Sequence, residues 1–464
     1  VEKFSQISPR GSGLVVLVVA VFITAVAGEL SAQESSNVAR HAAEAAVRRV
    51  VILTDFPPLD VQIGSGPPRK RSDPDDIQSM VRFLLYANEF EIEGLVASSA
   101  TFANIATKQH LLDILDLYED VQGNLQKHDP RFPTAEYLRS ITWQGASGSY
   151  GKPAAQIIGE GRDSEASEKI VEILEERDAR PVWFCVWGGS CDLAQALWEI
   201  KETHSPAEAD LLVSKARVYL ITLQDGSGQW LLDTFPKLFV IAAKNTWTGI
   251  FGSSDLTWLN ANVRREHGVL GAIYPTMGMG TKPGIKEGDS PSYLILVSAM
   301  HGLNNPDAPS EASWGGRFVP VSPGSNHWTD SPHGADTVRR WSTSFDNDFA
   351  ARMDWCVHEF RDANHAPLVD VIGSPTRQVK PGERIKLEGA ATDPDGDSLS
   401  CQWWQESTNG SADPEVEISS SDSIDQASFV VPNQPGQQIH LILEVTDNGS
   451  PALVGYQHVL FNIE

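Results

Sequence analysis

The stretch RVVILTD (residues 49–55) is a β-branched run that closes on an aspartate, and SDPDDIQSMVRFLL (72–85) follows it after a Pro- and Gly-rich insertion. The first reads as a buried strand. In the second, Ile77, Met80, Val81, Leu84 and Leu85 recur on one face at helical spacing. Asp73 before Pro74 predicts an N-cap with proline at the first helical position, and it puts Asp75 and Asp76 in the first turn, where the helix dipole favours acids. A strand, a crossover and a helix in this order begin a βαβ unit. The alternation continues, with strands expected at IEGLVA (92–97), VWFCVW (182–187), VYLIT (218–222), LFVIA (238–242) and GAIYP (271–275), and with EKIVEILEER (168–177) as a surface helix. The fold class that follows is α/β, an open and mostly parallel sheet with helices on both faces, whose ligands sit beyond the carboxyl ends of the strands.

The loops at those ends are polar, Gly-rich and Trp-bearing: SSATFAN (98–104), GGSCD (188–192), LQDGSGQW (223–230) and KNTWTG (244–249). Asp55 ends the first strand in the crevice from which the next helix starts. Three or four carboxylates meeting there repel one another unless a cation is present, and hard oxygen ligands suit Ca²⁺. A plain capping role for Asp73, Asp75 and Asp76 is the other reading, and the two are compatible. Trp230, Trp247, Trp314 and Trp328 offer either faces for a sugar ring or ordinary burial.

From about residue 366 to 464 the pattern changes to short strands and turns, as in TDPDGDSLSCQWWQ and EVTDNGSPAL, with the length and turn spacing of a small all-β sandwich. Asp393, Asp395 and Asp397 read either as turn residues or as a Ca²⁺ loop, and Trp403 or Trp404 as the core aromatic. At the other end, Arg10, the apolar run GLVVLVVAVFITAVAG and then ELSAQES have the order of a secretory signal peptide over residues 1–32, followed by a flexible leader over 33–47. The run is shorter than the ~20 residues of a spanning helix, so a secreted or periplasmic protein without a membrane anchor after cleavage is expected. The formal charge of −25 disfavours nucleic acid and anionic membranes as partners. Four scattered cysteines are too few for a disulfide scaffold.

Taken together, VVILTD, the DPDD that opens a helix, EIEGLVASSATFAN and GGSCDLAQAL resemble nucleoside hydrolases, whose signature is an aspartate at the end of the first strand followed by an Asp-Asp pair. More closely, residues 48–363 and 366–464 resemble the bacterial family of cellulose-binding proteins that join a nucleoside hydrolase-like domain to a C-terminal cadherin- or Ig-like domain. The resemblance implies a Ca²⁺ held by Asp55, Asp76, the carbonyl of Cys191 and Asp289, with Asp75 and Asn104 on the sugar. It also implies an exported hydrolase of glycosidic or N-glycosidic bonds, in which Asp55 takes a proton from a Ca²⁺-bound water. Asp225 and Trp230 are further substrate-binding candidates, and Asp225, His301, His327 and Asp330 are unranked proton donors. Two departures stand out: residues 56–74 intervene between Asp55 and the pair, and no histidine directly precedes Asp289. A non-catalytic carbohydrate-binding protein with a structural Ca²⁺ is the competing function.

Overall fold

The computed structural model describes residues 47–61, 74–101, 103–276, 283–407 and 413–464. The expected signal peptide, nearly all of the expected leader, the basic triplet at 69–71 and the expected cap Asp73 lie outside the described residues.

The β-branched runs form one large sheet because each strand buries both faces. In β1 (Arg48–Thr54), Val50 and Ile52 face one apolar layer while Val51 and Leu53 face the other. The sheet also contains β2 (Phe90–Ala97), β3 (Thr142–Gln144), β4 (Val182–Val186), β5 (Ala216–Ile221), β6 (Phe239–Ala243), β7 (Phe318–Pro320) and β8 (His327–Asp330), in the order β3-β2-β1-β4-β5-β6-β8-β7. All neighbours run parallel except the edge pair β7–β8. Such an order reverses direction between β1 and β4, the switch point where doubly wound sheets open a crevice.

Helices cover both faces. On one lie α1 (Asp75–Leu85) and α2 (Lys108–His128), and on the other α3 (Glu165–Glu175) and α4 (Cys191–Thr203). Further along come α5 (Gly226–Thr234), α6 (Gly268–Ile273), α7 (Pro291–Met300) and α8 (Ser342–Trp355), of which α7 and α8 join the first layer. No helix among the described residues is long and apolar enough to cross a membrane.

Three local expectations are corrected. Pro74 occupies the N-cap position of α1 and Asp75 the first helical position, so the helix starts one residue later than expected. GAIYP is no strand: Gly268 to Ile273 form α6, where a Cβ on Gly271 would lie 2.1 Å from the Val263 carbonyl oxygen. The parallel position beside β6 is taken instead by HWTD of β8, a half-buried segment without an apolar run to announce it.

C-terminal to these layers, β10 (Ser400–Glu406), β11 (Gln438–Thr446) and β12 (Val454–Ile463) form an antiparallel set joined by a short parallel strand, β9 (Thr376–Val379). Trp403, Phe429, Leu441, Leu443 and Phe461 fill the core beneath them, so Trp403 is the core aromatic. Trp404 points the other way, its Nε1 donating to Glu444 at 3.1 Å and its ring meeting Trp341 at 6.2 Å. Ile442 and Tyr456 belong to the same apolar cluster as α7 and α8. Accordingly Arg48–Glu464 form one compact unit.

A fully buried guanidinium ties α1 to the chain that precedes α7. Arg82 Nε donates to Glu287 at 2.5 Å, one terminal nitrogen donates to the Phe345 carbonyl at 2.8 Å, and the other pairs with Asp346 at 3.0 Å. Phe349 lies 4.1 Å from it, ring face to cation. Removing one partner of such a buried set leaves uncompensated charge. Arg82→Ala is therefore expected to lower stability by about 3–5 kcal/mol in urea unfolding, whereas a loss under about 1 kcal/mol, the range of a surface pair, would refute this account.

Candidate functional site

Asp55 follows the last residue of β1, directly at the switch point, and is 3% exposed. Its Oδ2 accepts the Ala103 N–H at 3.2 Å. The end of β4 closes over it through Gly188, where a Cβ would sit 2.7 Å from Asp55 Oδ1 and 3.0 Å from its backbone nitrogen. Only a residue without a side chain fits there.

Asp76 meets Asp55 from the first turn of α1, and its Oδ1 accepts the Thr54 hydroxyl. Asp289 arrives from just before α7, held by two sets of bonds. Gln78 of α1 donates to the carbonyls of Pro275 at 2.6 Å and Gly284 at 3.2 Å, and accepts the Lys286 N–H at 2.7 Å. Glu287, already paired with Arg82, also accepts Tyr274 Oη at 2.5 Å and Ser290 Oγ at 2.8 Å. The result is a group of carboxylate oxygens from Asp75, Asp76 and Asp289 within 4.8 Å of one another. Asp76 and Asp289 are 2% and 4% exposed, and Asp289 Oδ2 is buried with no hydrogen-bond partner among the described residues.

Electrostatics penalise this arrangement by itself. Burial, followed by the charges of Asp55 and Asp75, pushes the Asp76 carboxyl well above its usual range. For Asp289 burial again comes first, followed by the charges of Asp76, Asp75 and Asp55. Carboxylates so close either hold protons or share a cation. The donor set is all oxygen, which fits a hard ion such as Ca²⁺.

Beside the acids stands an aromatic wall that sequence reasoning saw only in part. A Cβ on Gly288 would lie 2.8 Å from Asp75 Oδ2, 3.5 Å from Trp247 Cε3 and 3.6 Å from Phe251 Cε1. Trp247 and Phe251 meet edge to face at 5.4 Å. The signal for this contact was the glycine directly before Asp289, in KEGDS.

Other predicted residues go elsewhere. Cys191 is the first residue of α4, whose ladder opens with Ala194 N–H donating to the Ser190 carbonyl at 2.9 Å. The next carbonyl, that of Cys191, belongs to the first turn of the same helix. Asn104 fastens a neighbouring loop, its Oδ1 accepting the Tyr150 N–H at 3.0 Å and its carbonyl the Gly148 N–H at 3.1 Å. Trp230 lies within α5 rather than in a loop, edge to face with Phe235 at 5.6 Å. Trp314 is buried, and the His301 ring lies tilted against it at 5.0 Å, while the His301 carbonyl accepts the Tyr456 N–H. His327 Nε2 lies 3.2 Å from the Phe235 carbonyl oxygen. Asp330 caps three backbone N–H groups, those of Lys244, Asn245 and Thr246. Asp393 Oδ1 accepts the N–H groups of Asp395 and Asp397 at 2.9 and 3.0 Å, which is turn chemistry.

Asp225 remains close. It caps α5 by accepting the Ser227 N–H at 2.9 Å, yet its Oδ2 is buried and without a hydrogen-bond partner among the described residues. A Cβ on Gly189 would lie 2.5 Å from that oxygen, so one glycine pair separates Asp225 from Asp55.

Residues 69–318 match the family described as cellulose-binding Sde182, nucleoside hydrolase-like domain. The chain belongs to that family. Residues 384–463 match the C-terminal domain of cellulose-binding protein Sde0182. Among solved structures, a nucleoside hydrolase-related hypothetical protein from Saccharophagus degradans, described as associated with carbohydrate metabolism, is 34% identical. The match covers 90% of this chain and 100% of that one with a TM-score of 0.77. Murine CRIg (10% identity, 22% of this chain and 99% of that one, TM-score 0.16) and a chimeric titin Z1Z2 (20%, 22% and 99%, 0.14) overlap too poorly to inform the comparison. No curated protein matches.

A carboxyl whose pKa is raised on folding favours the folded state below its unfolded pKa, near 4, and that advantage is lost as pH rises through the folded value. In chelator, the melting temperature is expected to fall between pH 4 and 7, and Asp289→Asn is expected to flatten that fall. Added Ca²⁺ at pH 7 should restore stability to the parent and not to the variant. Equal pH slopes in both proteins would contradict the assignment.

Proposed function

We propose that the carboxylate site hydrolyses glycosidic or N-glycosidic bonds in a carbohydrate substrate, with Ca²⁺ as its resident cation. The observation behind this reading is the convergence of Asp75, Asp76 and the unpartnered Asp289 oxygen beside Asp55, at the switch point of the sheet. Asp76, Asp289 and Asp75 would hold the ion, with Asp55 next to them. When bound, Ca²⁺ supplies the positive charge that keeps these carboxylates ionised and makes a neighbouring water more acidic.

The protein's own groups divide the remaining work. Asp55 accepts the proton as the water oxygen attacks the anomeric carbon. Asp75, at the edge of the cluster next to Trp247, accepts hydrogen bonds from sugar hydroxyls while the indole face packs on the ring. As the bond to the leaving group breaks, that group needs a proton. Asp225, one glycine pair away from Asp55, is the best-placed donor among the four candidates.

A carbohydrate substrate is supported by the words cellulose-binding in both matched families and by the carbohydrate association of the Saccharophagus degradans protein. Export to the periplasm or medium is supported by the charged, apolar and small-residue order of residues 10–32. The same family names favour a second reading, a carbohydrate-binding protein without turnover.

Purified protein with Ca²⁺ is expected to release sugar from one member of a panel of plant and algal glycans and nucleosides. Asp55→Asn should lower kcat at least 10²-fold, the lower range for a lost general base, with ligand affinity retained. Trp247→Ala should weaken binding about tenfold, the loss of one aromatic contact. If the panel is bound but never cleaved, the binding reading replaces the hydrolytic one.

A further inference from the structure

A second ligand-like cluster lies far along the chain from the carboxylates, where the C-terminal sheets meet the α/β layers. His440 of β11 and His458 of β12 sit on one face of adjacent antiparallel strands, because His458 pairs with Ile442, two residues from His440. Ile442 itself is part of the apolar cluster of the α/β layers, so this face looks inward. Glu311 meets the two rings from the segment between α7 and β7. Its Oε1 lies 3.8 Å from His440 Nδ1 and its Oε2 lies 3.6 Å from His458 Nδ1. The ring planes are inclined by 21° with centroids 5.1 Å apart, and His440 Nδ1 lies 3.0 Å from His458 Nε2.

We propose that Glu311, His440 and His458 bind one divalent transition-metal ion that fastens the C-terminal sheets to the α/β layers. One ligand atom from each residue falls within a common 4.8 Å. Around a tetrahedral ion with bonds of ~2.1 Å, ligand atoms lie roughly 3.4 Å apart. The two nitrogen–oxygen separations, 3.8 and 3.6 Å, lie within a few tenths of an ångström of that spacing. Two imidazoles and a carboxylate select Zn²⁺ and its first-row neighbours over Ca²⁺, which prefers oxygen alone. The fourth position is left to a water.

The surroundings favour a bound cation over a plain ion pair. The three side chains are only 9–16% exposed. Glu311 is held in place by the Asn305 N–H, which donates to Oε2 at 2.7 Å. Arg317 also faces this carboxylate, but its guanidinium is engaged by Glu406.

The test uses the full chain with the carboxylate site saturated with Ca²⁺ and no sugar present, so it is independent of the hydrolytic reading. Zn²⁺ titration of this Ca²⁺-loaded, zinc-free protein is expected to show one equivalent bound and a melting temperature raised by several degrees. Co²⁺ should give a visible absorption of nitrogen–oxygen ligation. His458→Gln and Glu311→Gln should each lose the equivalent, the shift and the absorption, while Asp76→Asn keeps all three. Retention of zinc and absorption in both His458→Gln and Glu311→Gln, or no zinc uptake by the parent, would overturn the proposal. Should His458→Gln fail to fold, Glu311→Gln alone decides.

Discussion

The carboxylate site depends on the buried pairing of Arg82 with Glu287 and Asp346. Arg82 belongs to the same helix as Asp75 and Asp76, and Glu287 stands two residues before Asp289. The guanidinium thus fixes the distance between two segments that each deliver acids to one crevice. Gln78 repeats the connection one turn earlier, to Pro275, Gly284 and Lys286. Desolvating so many charges is tolerable only because Arg82 meets two carboxylates and a carbonyl with good geometry.

That rigidity carries an electrostatic consequence. Asp55, Asp75, Asp76 and Asp289 cannot spread apart to relieve their repulsion, since each is anchored by backbone elements that serve the core. Site and scaffold are under opposing demands: the layers pack best when α1 and α7 are close, and the acids repel most when they are. The cation proposed for this site would reconcile the two. Glycines at 188 and 288 make the same compromise in steric form, giving up side chains so that a strand end can reach Asp55 and an aromatic wall can reach Asp75.

The C-terminal sheets are not a loosely tethered appendage. Tyr456 enters the α/β cluster, contacts Trp314 and Trp341 edge to face at 6.5 and 6.0 Å, and donates to Ser344 at 3.2 Å. Its N–H and that of His458 continue onto the carbonyls of His301 and Gly302 just after α7. Since α7 begins immediately after Asp289 and Ser290, the far end of the helix that follows the acids is stitched to the C-terminal strands. A metal at Glu311, His440 and His458 would reinforce that seam.

Local chemistry already settled much of this in the one-dimensional chain. β-branched runs separated by helical periodicity require buried parallel strands with helices on both faces, and a strand that ends on Asp55 before an acidic helix start places charge at a crevice. Strands without apolar runs, such as HWTD, were illegible, since edge strands are specified by their neighbours and not by their own composition. GAIYP misled for the converse reason: its apolar residues serve a helix. Loop aromatics likewise divided only in three dimensions, with Trp314 buried in the core and Trp247 beside Asp75. Residue type and spacing determined that the acids exist and which elements carry them. Which acids actually meet, Asp75 with Asp76 and Asp289, was decided by the tertiary structure, because that proximity rests on a buried arginine joining segments some two hundred residues apart.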